Sequence, residues 1–114
     1  MALENTQETT IDTHVKILVE QGKYLVSRVR FSEAAEKFSE AIKFNHVYAD
    51  AHSNLGALYM DMGMNGLALP CLNKAIELNP NDKTAYLCRS FVKRILKDKD
   101  GAQMDLEVYF GLKK

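Results

Sequence analysis

The chain has 114 residues, the length of a single domain, and 46% of them are apolar while 26% are charged, as in ordinary globular proteins. Fifteen Lys and Arg balance fifteen Asp and Glu, and this net charge of zero argues against nucleic acid or an anionic membrane as the partner. The chain has only two cysteines, which predicts no disulfide framework. It has neither a secretory signal pattern nor an apolar run of ~20 residues, so a cytoplasmic protein without a membrane span is expected.

Apolar residues at helical spacing predict an all-α chain, preceded by a flexible, polar N-terminal tail at residues 1–11. No segment shows the sustained alternation of apolar and polar residues that a strand would need. The predicted helices, in chain order and with approximate bounds, are 12–29, 32–44, 49–62, 65–78, 83–97 and 99–111.

Residues with capping preferences mark several helix ends. Ser32 and Asn65 are candidate N-caps of the second and fourth helices, because their side chains accept hydrogen bonds from free backbone N–H groups. Gly63 follows the third helix, where a residue with positive φ is favoured. Pro80 pushes Asn79 out of the helical region and ends the fourth helix. The helices are therefore expected to be joined by short turns.

The helix pairs recur at one constant spacing along the chain, which indicates that one packing arrangement is used three times. The matched positions are Gly22, Gly56 and Ser90; Ala34, Ala68 and Ala102; and Phe38, Leu72 and Leu106. Small residues let helix axes approach closely, and the large residues fill what remains between them. Ala41 and Ala75 continue this pattern, whereas the third repeat has Tyr109 at the corresponding place.

This helix–turn–helix unit resembles the tetratricopeptide repeat family, whose period is about 34 residues. The resemblance covers repeats at 15–48, 49–82 and 83–114, which would form a single domain at 12–114. The second repeat matches best, through Leu55, Gly56, Tyr59, Ala68, Ala75 and Pro80. His46 and His52 depart from the family, which has a proline and an aromatic residue at those positions. The resemblance implies an α-solenoid, a right-handed superhelix whose first helices line a concave face.

The concave face is the ligand-binding surface that the resemblance implies. The residues at its binding positions are Val19, Lys23, Val26, Asn54, Ala57, Met60, Leu87, Cys88, Phe91, Arg94 and Ile95. Many of them are apolar, which favours a peptide or helix with apolar anchors. One subclass of the family clamps acidic peptide C-termini with basic and asparagine side chains at five groove positions. Only Asn54 fits that pattern, so chaperone C-terminal peptides are poor candidates.

Two functions remain open at this point. The first is a protein–protein interaction module, an adapter or scaffold that holds another protein's peptide or helix in the groove. The alternative is a self-assembling structural unit that forms homo-oligomers through the groove or through the C-terminal helix. The apolar groove residues favour the first function without excluding the second.

Nothing in the sequence points to an enzyme, a metal site or a cofactor. His14, His46 and His52 lack the spacing of helical metal ligands. Cys71 and Cys88 are interpreted as small hydrophobic residues, since neither has a neighbouring base or a positive setting that would activate a nucleophile. We therefore expect no catalytic, metal-binding or cofactor-binding residues.

Two structural expectations concern the third repeat. Arg89 and Asp105 stand where Leu55 and Cys71 face each other in the second repeat, which predicts an ion pair between the two helices. Tyr109 takes the place of a small alanine, and we expect it to fold over the open C-terminal end and to be substantially buried.

Overall fold

The computed structural model describes the backbone of residues 2–113 and the side chains of residues 10–112. Its helices are α1 (Ala2–Ser27), α2 (Phe31–Phe44), α3 (Ala49–Asp61), α4 (Asn65–Leu78), α5 (Lys83–Ile95) and α6 (Lys99–Lys113). The described part of the chain has no strand, so the predicted all-α class is confirmed. None of these helices is long and apolar enough to cross a bilayer.

Helix α1 begins at Ala2, well before the start near Asp12 that the apolar pattern predicts. Five of the eleven residues before Asp12 are alanine, leucine, glutamate or glutamine, which have good helix propensity and form no apolar stripe there. Periodicity detects only the part of a helix that packs against other elements, and Val15 is the first buried residue among the side chains described from residue 10 onward. The flexible tail at residues 1–11 stays a prediction.

Equivalent turns end the first helix of each repeat. Val29, Gly63 and Lys97 occupy the same position in successive repeats and have φ values of 60°, 75° and 73°. In the first of these turns the N–H of Arg30 donates to the carbonyl of Leu25 at 2.9 Å, and the other two turns have the same bond. This is the Schellman arrangement, which satisfies carbonyls that a helix end leaves free. The predicted role of Gly63 is confirmed.

The predicted N-caps Ser32 and Asn65 are wrong. Arg30 and Met64 precede α2 and α4, and neither side chain accepts a hydrogen bond from a backbone N–H of the helix that follows. Each lies directly after a left-handed turn residue, and neither arginine nor methionine has the short side-chain acceptor that a cap needs. In the third repeat Asp98 has the same place and does cap α6 through its carboxylate.

Glycines in the first helices allow large side chains of the second helices to lie against the backbone. A Cβ at Gly22 would collide with the ring of Phe38, and a Cβ at Gly56 would lie 2.8 Å from Leu72. Phe38 and Leu72 are fully buried. The packing predicted from these columns of small and large residues is therefore confirmed for the first two repeats.

Successive repeats stack through adjacent helices. Helix α2 packs on α3 and α4 packs on α5, while α3 also contacts α1 and α5. The buried residues form one cluster across α1, α2 and α3 and another across α4 and α5. The first helices of the repeats therefore lie side by side, and this row carries the predicted groove residues.

The third repeat contains the predicted ion pair. Asp105 is only 3% exposed, and its carboxylate accepts hydrogen bonds from Nε and Nη2 of Arg89 at 2.9 and 2.7 Å. Nζ of Lys93 lies 3.2 Å from the same carboxylate, a contact that the comparison of repeats does not reveal. Arg89 also donates to Oδ1 of Asn73 at 3.1 Å. The pairing of Arg89 with Asp105 is confirmed.

The C-terminal end is less closed than predicted. Tyr109 is half-buried, and its ring packs edge-on against Phe110 with the centroids 5.3 Å apart. Phe110 and Leu112 remain exposed. One tyrosine covers part of the last helix, but no described residue lies beyond α6 to bury the rest.

Candidate functional site

A pocket of about 580 Å³ lies where the C-terminal part of α3 faces α5. Its lining is mostly apolar and consists of Met60, Asp61, Leu87, Cys88, Ser90, Phe91, Arg94 and Leu106. Five predicted groove residues are thus brought together from two helices. The pocket exists because α3 and α5 are neighbours in the row of first helices.

An apolar stripe along α5 borders this pocket. Leu87, Phe91 and Ile95 are spaced four residues apart, so they share one face of the helix. All three are exposed, and 52% of the surface of Phe91 is accessible to solvent. A helix that packed only within its own chain would place polar residues on such a face. The stripe therefore has the character of a contact surface.

Charges of opposite sign stand at the rim of the pocket. Asp61, at the C-terminal end of α3, and Arg94, in the last turn of α5, both line it and are both exposed. Ile95 continues the stripe one turn past Phe91 but does not line the pocket. An apolar floor with a mixed-charge rim suits a segment that carries apolar side chains among polar ones.

The first-repeat members of the predicted groove lie outside the pocket. Val19 is buried in the cluster that joins α1, α2 and α3, so the prediction that it lines an accessible groove is wrong. Its short side chain packs where α1 meets its neighbours. Val26 is half-buried against the same cluster. Lys23 is exposed, but it pairs with Glu20 on its own helix at 3.3 Å.

The second-repeat members are only partly accessible. Asn54 is half-buried, and its amide donates to the backbone carbonyl of Asp50 at 2.7 Å. Ala57 is half-buried and does not line the pocket. Met60 lines the pocket and packs against the second cluster with its remaining surface. Of these three residues, Met60 is the one that helps to form the pocket.

The thiol of Cys88 is not set up for nucleophilic chemistry. Burial raises the pKa of Cys88, and the carboxylates of Asp61 and Asp82 raise it further. Burial likewise raises the pKa of the Cys71 thiol. Both thiols are thus held protonated near neutral pH, whereas a reactive cysteine needs a lowered pKa. Cys88 contributes a small apolar surface to the pocket.

Two of the three histidines make side-chain contacts within the fold. The ring of His14 packs edge-on against Phe44, with the centroids 4.7 Å apart. Nε2 of His52 lies 2.9 Å from the backbone oxygen of His46, which ties α3 to the turn before it. Across the described residues no group of three or more His, Cys, Asp or Glu is placed to hold a metal ion.

Leu106 reaches the pocket from α6, which sequence reasoning did not anticipate. The corresponding residues Phe38 and Leu72 are fully buried, whereas Leu106 is half-buried. Two features distinguish the third repeat here: Ser90 replaces the glycine of the first two repeats, and among the described helices α6 packs on α5 alone. A Cβ at this position prevents the facing side chain from packing as deeply. The serine at position 90 was the signal that could have predicted it.

A second hollow of about 620 Å³ lies at the other end of the stack, between α1 and α2. Its apolar lining comes from Ile17, Tyr24 and Leu25. None of these residues was among the predicted groove residues. The hollow lies on the side of α1 that has no preceding helix in the described chain, and it is separate from the pocket between α3 and α5.

Family models match most of the repeat region. One, described as a tetratricopeptide repeat, matches residues 49–82, and another, described as a TPR repeat, matches residues 16–63. Hsp70-Hsp90 organizing protein 1 of Glycine max is 34% identical over 90 residues, which cover 79% of this chain and 15% of that protein. Hsp70-Hsp90 organizing protein 3 of Arabidopsis thaliana is 31% identical over 83 residues, which cover 73% and 15%. The chain thus spans about 15% of the length of these relatives.

Solved structures with the same fold are more distant in sequence. The second TPR of Spaghetti (RPAP3), bound to the HSP90 peptide SRMEEVD, superposes with a TM-score of 0.85 at 18% identity. That match covers 87% of this chain and 92% of the other. The Arabidopsis OM64 TPR domain superposes with a TM-score of 0.84 at 22% identity, covering 88% and 83%. These similarities confirm the α-solenoid of helical repeats.

Proposed function

Because the chain belongs to the tetratricopeptide repeat family, we propose that it is a non-catalytic adapter that holds a segment of another protein in the pocket between α3 and α5. The exposed stripe on α5 carries this proposal. Leu87, Phe91 and Ile95 are large apolar side chains held by a rigid helix beside a largely apolar pocket. Binding would remove this apolar area from water, which is the main favourable term in such contacts.

The proposed partner is a segment with apolar anchors. Its apolar side chains would enter the pocket at Phe91 and Met60, and its polar groups would meet Asp61 and Arg94 at the rim. A helix presenting residues at i, i+3 or i+4, and an extended strand presenting alternate residues, both satisfy this description. A reducing, cytoplasmic setting is consistent with the free thiols of Cys71 and Cys88.

An acidic C-terminal peptide fits this chain less well, although the Spaghetti domain is described with one bound. Three of the five clamp positions have Val19, Thr84 and Cys88, none of which carries a positive charge. The remaining two have Lys23, which is paired with an acid on its own helix, and Asn54, which bonds to its own backbone. A carboxylate would therefore meet too few free donors.

The test compares two phenylalanines that are equally exposed. Peptides are first selected from a displayed random library against the wild-type chain, and the affinity of a selected peptide is then measured by calorimetry. Phe91→Glu should weaken binding about 10-fold or more, as loss of a central anchor does. Phe44→Glu on α2 is the control, since Phe44 is also 52% exposed and lies outside the pocket. The control should bind within about twofold of wild type.

Three results would contradict the proposal. Equal binding by the two variants would place the site elsewhere. Tighter binding of SRMEEVD than of any selected apolar peptide would favour the carboxylate clamp instead. A fall in melting temperature for Phe91→Glu as large as a core substitution causes would mean that Phe91 supports the fold and not the ligand.

A further inference from the structure

At the N-terminal end of the stack, a large apolar residue is exposed at a repeat position that is buried in the second and third repeats. Leu58 and Val92, at the same position of the second and third repeats, are almost completely buried where α3 packs on α2 and α5 packs on α4. The equivalent residue of the first repeat is Tyr24, which is 62% exposed. An aromatic ring stands in water at the place that each inner repeat uses to contact its predecessor.

A second position repeats the observation. Ala51 and Ala85 are fully buried at the same two junctions, whereas the equivalent Ile17 is 49% exposed. Ile17 and Tyr24 are seven residues apart, so they lie on one side of α1. The hollow between α1 and α2 lies beside them and is lined by both. This end of the stack therefore carries an apolar patch of Ile17, Tyr24 and Leu25 within a polar border, where a solvent-facing end would be polar throughout.

The C-terminal end of the stack, on α6, likewise exposes an apolar residue whose equivalent in the second repeat is buried. Ile76 of α4 is buried beneath the third repeat. The equivalent residue of the third repeat is Phe110 on α6, which is 55% exposed. Met104 is exposed as well, but its equivalents Glu36 and Pro70 are also exposed at the inner repeats. Phe110 thus belongs to the junction surface and Met104 does not.

We propose that the occupant of both ends is a second copy of this chain, with α1 of one copy packed on α6 of the next. The register is that of the junctions already present within the chain, α2 on α3 and α4 on α5, so the interface continues an established one. Its apolar centre would be formed by Phe110 of one copy with Ile17 and Tyr24 of the other.

A polar pair supports this register independently. Across the inner junction of α4 and α5, Arg89 donates to Asn73 at 3.1 Å. The equivalent of Asn73 in the third repeat is Glu107, and the equivalent of Arg89 in the first repeat is Gln21; both are exposed. Stacked copies would bring these two together, and the Gln21 amide would donate to the Glu107 carboxylate. The polar contact of the inner junction thus has a matched counterpart between copies.

Because the residues at both ends are larger, the helices of two stacked copies would lie farther apart than the helices at the junctions within the chain. Tyr109 stands where α2 and α4 have alanines, and Ile17 stands where α3 and α5 have alanines. The two surfaces are different, so the contact is head-to-tail, and each added copy leaves one free end. Growth with concentration beyond the dimer is the expected behaviour.

Sedimentation velocity of the 114-residue chain across the micromolar to millimolar range tests the proposal. The wild-type chain should form species larger than dimers as its concentration rises. Tyr24→Glu blocks the α1 end and Phe110→Glu blocks the α6 end, so each variant alone should stay monomeric. An equimolar mixture of the two should form a 1:1 dimer and nothing larger, because each variant supplies the end that the other lacks. Met104→Glu, on α6 outside the junction surface, should assemble like wild type.

Other results would overturn the proposal. A wild-type chain that stays monomeric throughout has no such contact between copies. A dimer that survives Tyr24→Glu but not Phe110→Glu would be a symmetric pairing of α6 helices. An assembly dissolved by Phe91→Glu would use the pocket between α3 and α5. Circular dichroism should show unchanged helicity for every variant, and Ile17→Glu repeats the α1 block if Tyr24→Glu fails to fold.

Discussion

Asp105→Ala is the substitution whose effect the structure specifies best. The carboxylate is almost fully buried and is held by two hydrogen bonds from Arg89 and by Lys93 at 3.2 Å. Its removal leaves two cations between α5 and α6 without their shared acceptor. Breaking a buried ion pair from one side typically costs about 3–5 kcal/mol, because the remaining charge stays desolvated.

The expected loss for this pair is somewhat smaller, about 2–4 kcal/mol. The side chains of Arg89 and Lys93 keep 17% and 20% of their surface exposed, so water reaches both cations. Arg89 also keeps its hydrogen bond to Asn73. For a chain of this size, such a loss lowers the melting temperature by roughly 8–17 °C.

Urea unfolding followed by circular dichroism measures this loss, and Glu107→Ala on the same helix is the control. Glu107 is exposed, so its removal should change the free energy of unfolding by less than ~0.5 kcal/mol. Arg89→Leu alone should cost less than Asp105→Ala, because Lys93 still neutralises the carboxylate. The double variant Arg89→Leu with Asp105→Ala should recover part of the loss, as the second repeat has Leu55 in the place of Arg89.

A result for Asp105→Ala within ~0.5 kcal/mol of the Glu107→Ala control would refute the reasoning. It would mean that the three charged groups are hydrated in solution and that the pair contributes no more than a surface ion pair does. Additive effects in the double variant would lead to the same conclusion, since coupled residues give a non-zero interaction energy.

Three further outcomes are expected. Val29→Gly should raise the free energy of unfolding by about 1 kcal/mol in urea, because an exposed β-branched residue holds a left-handed φ of 60° that glycine adopts freely; a destabilised variant would contradict this. Gly56→Ala should lower the free energy of unfolding by about 1–3 kcal/mol, because the new Cβ would lie 2.8 Å from Leu72. Gly66→Ala is the control and should be neutral or stabilising, since its new Cβ would have no packing neighbour within 4 Å, and equal effects of the two substitutions would contradict the packing. Cys88 should react with iodoacetamide more slowly near pH 8 than free cysteine does, and its reactivity should increase only as the pH rises through its raised pKa. Mass spectrometry of the labelled peptide measures this rate, and fast labelling near pH 7 would contradict a buried, protonated thiol.

Much of the fold could be predicted from the chain alone, because its repeats solve one packing problem three times. The constant repeat length specifies which residues of the two helices face each other, and comparison of the repeats predicts the contact between Arg89 and Asp105 that the structure contains. Gly63 was recognised as a turn residue for a local reason, since a positive φ strongly favours glycine.

The candidate site was predicted less completely, because a position in a repeat does not specify what surrounds it. Val19 and Phe91 are both apolar groove positions by analogy, yet Val19 is buried between α1 and its neighbours while Phe91 faces water. Which of the two is free depends on how closely neighbouring helices approach, and that distance depends on residues from several elements at once.

The sequence alone determined the number, the order and the pairing of the helices, since these follow from local periodicity and from the recurrence of small residues such as Gly22 and Gly56. Only the structure showed that the side chains of Ser32 and Asn65 do not cap α2 and α4, whose N-cap residues are Arg30 and Met64. It also decided that Leu106 reaches the pocket, because Ser90 replaces a glycine on α5 and, among the described helices, α6 packs on α5 alone.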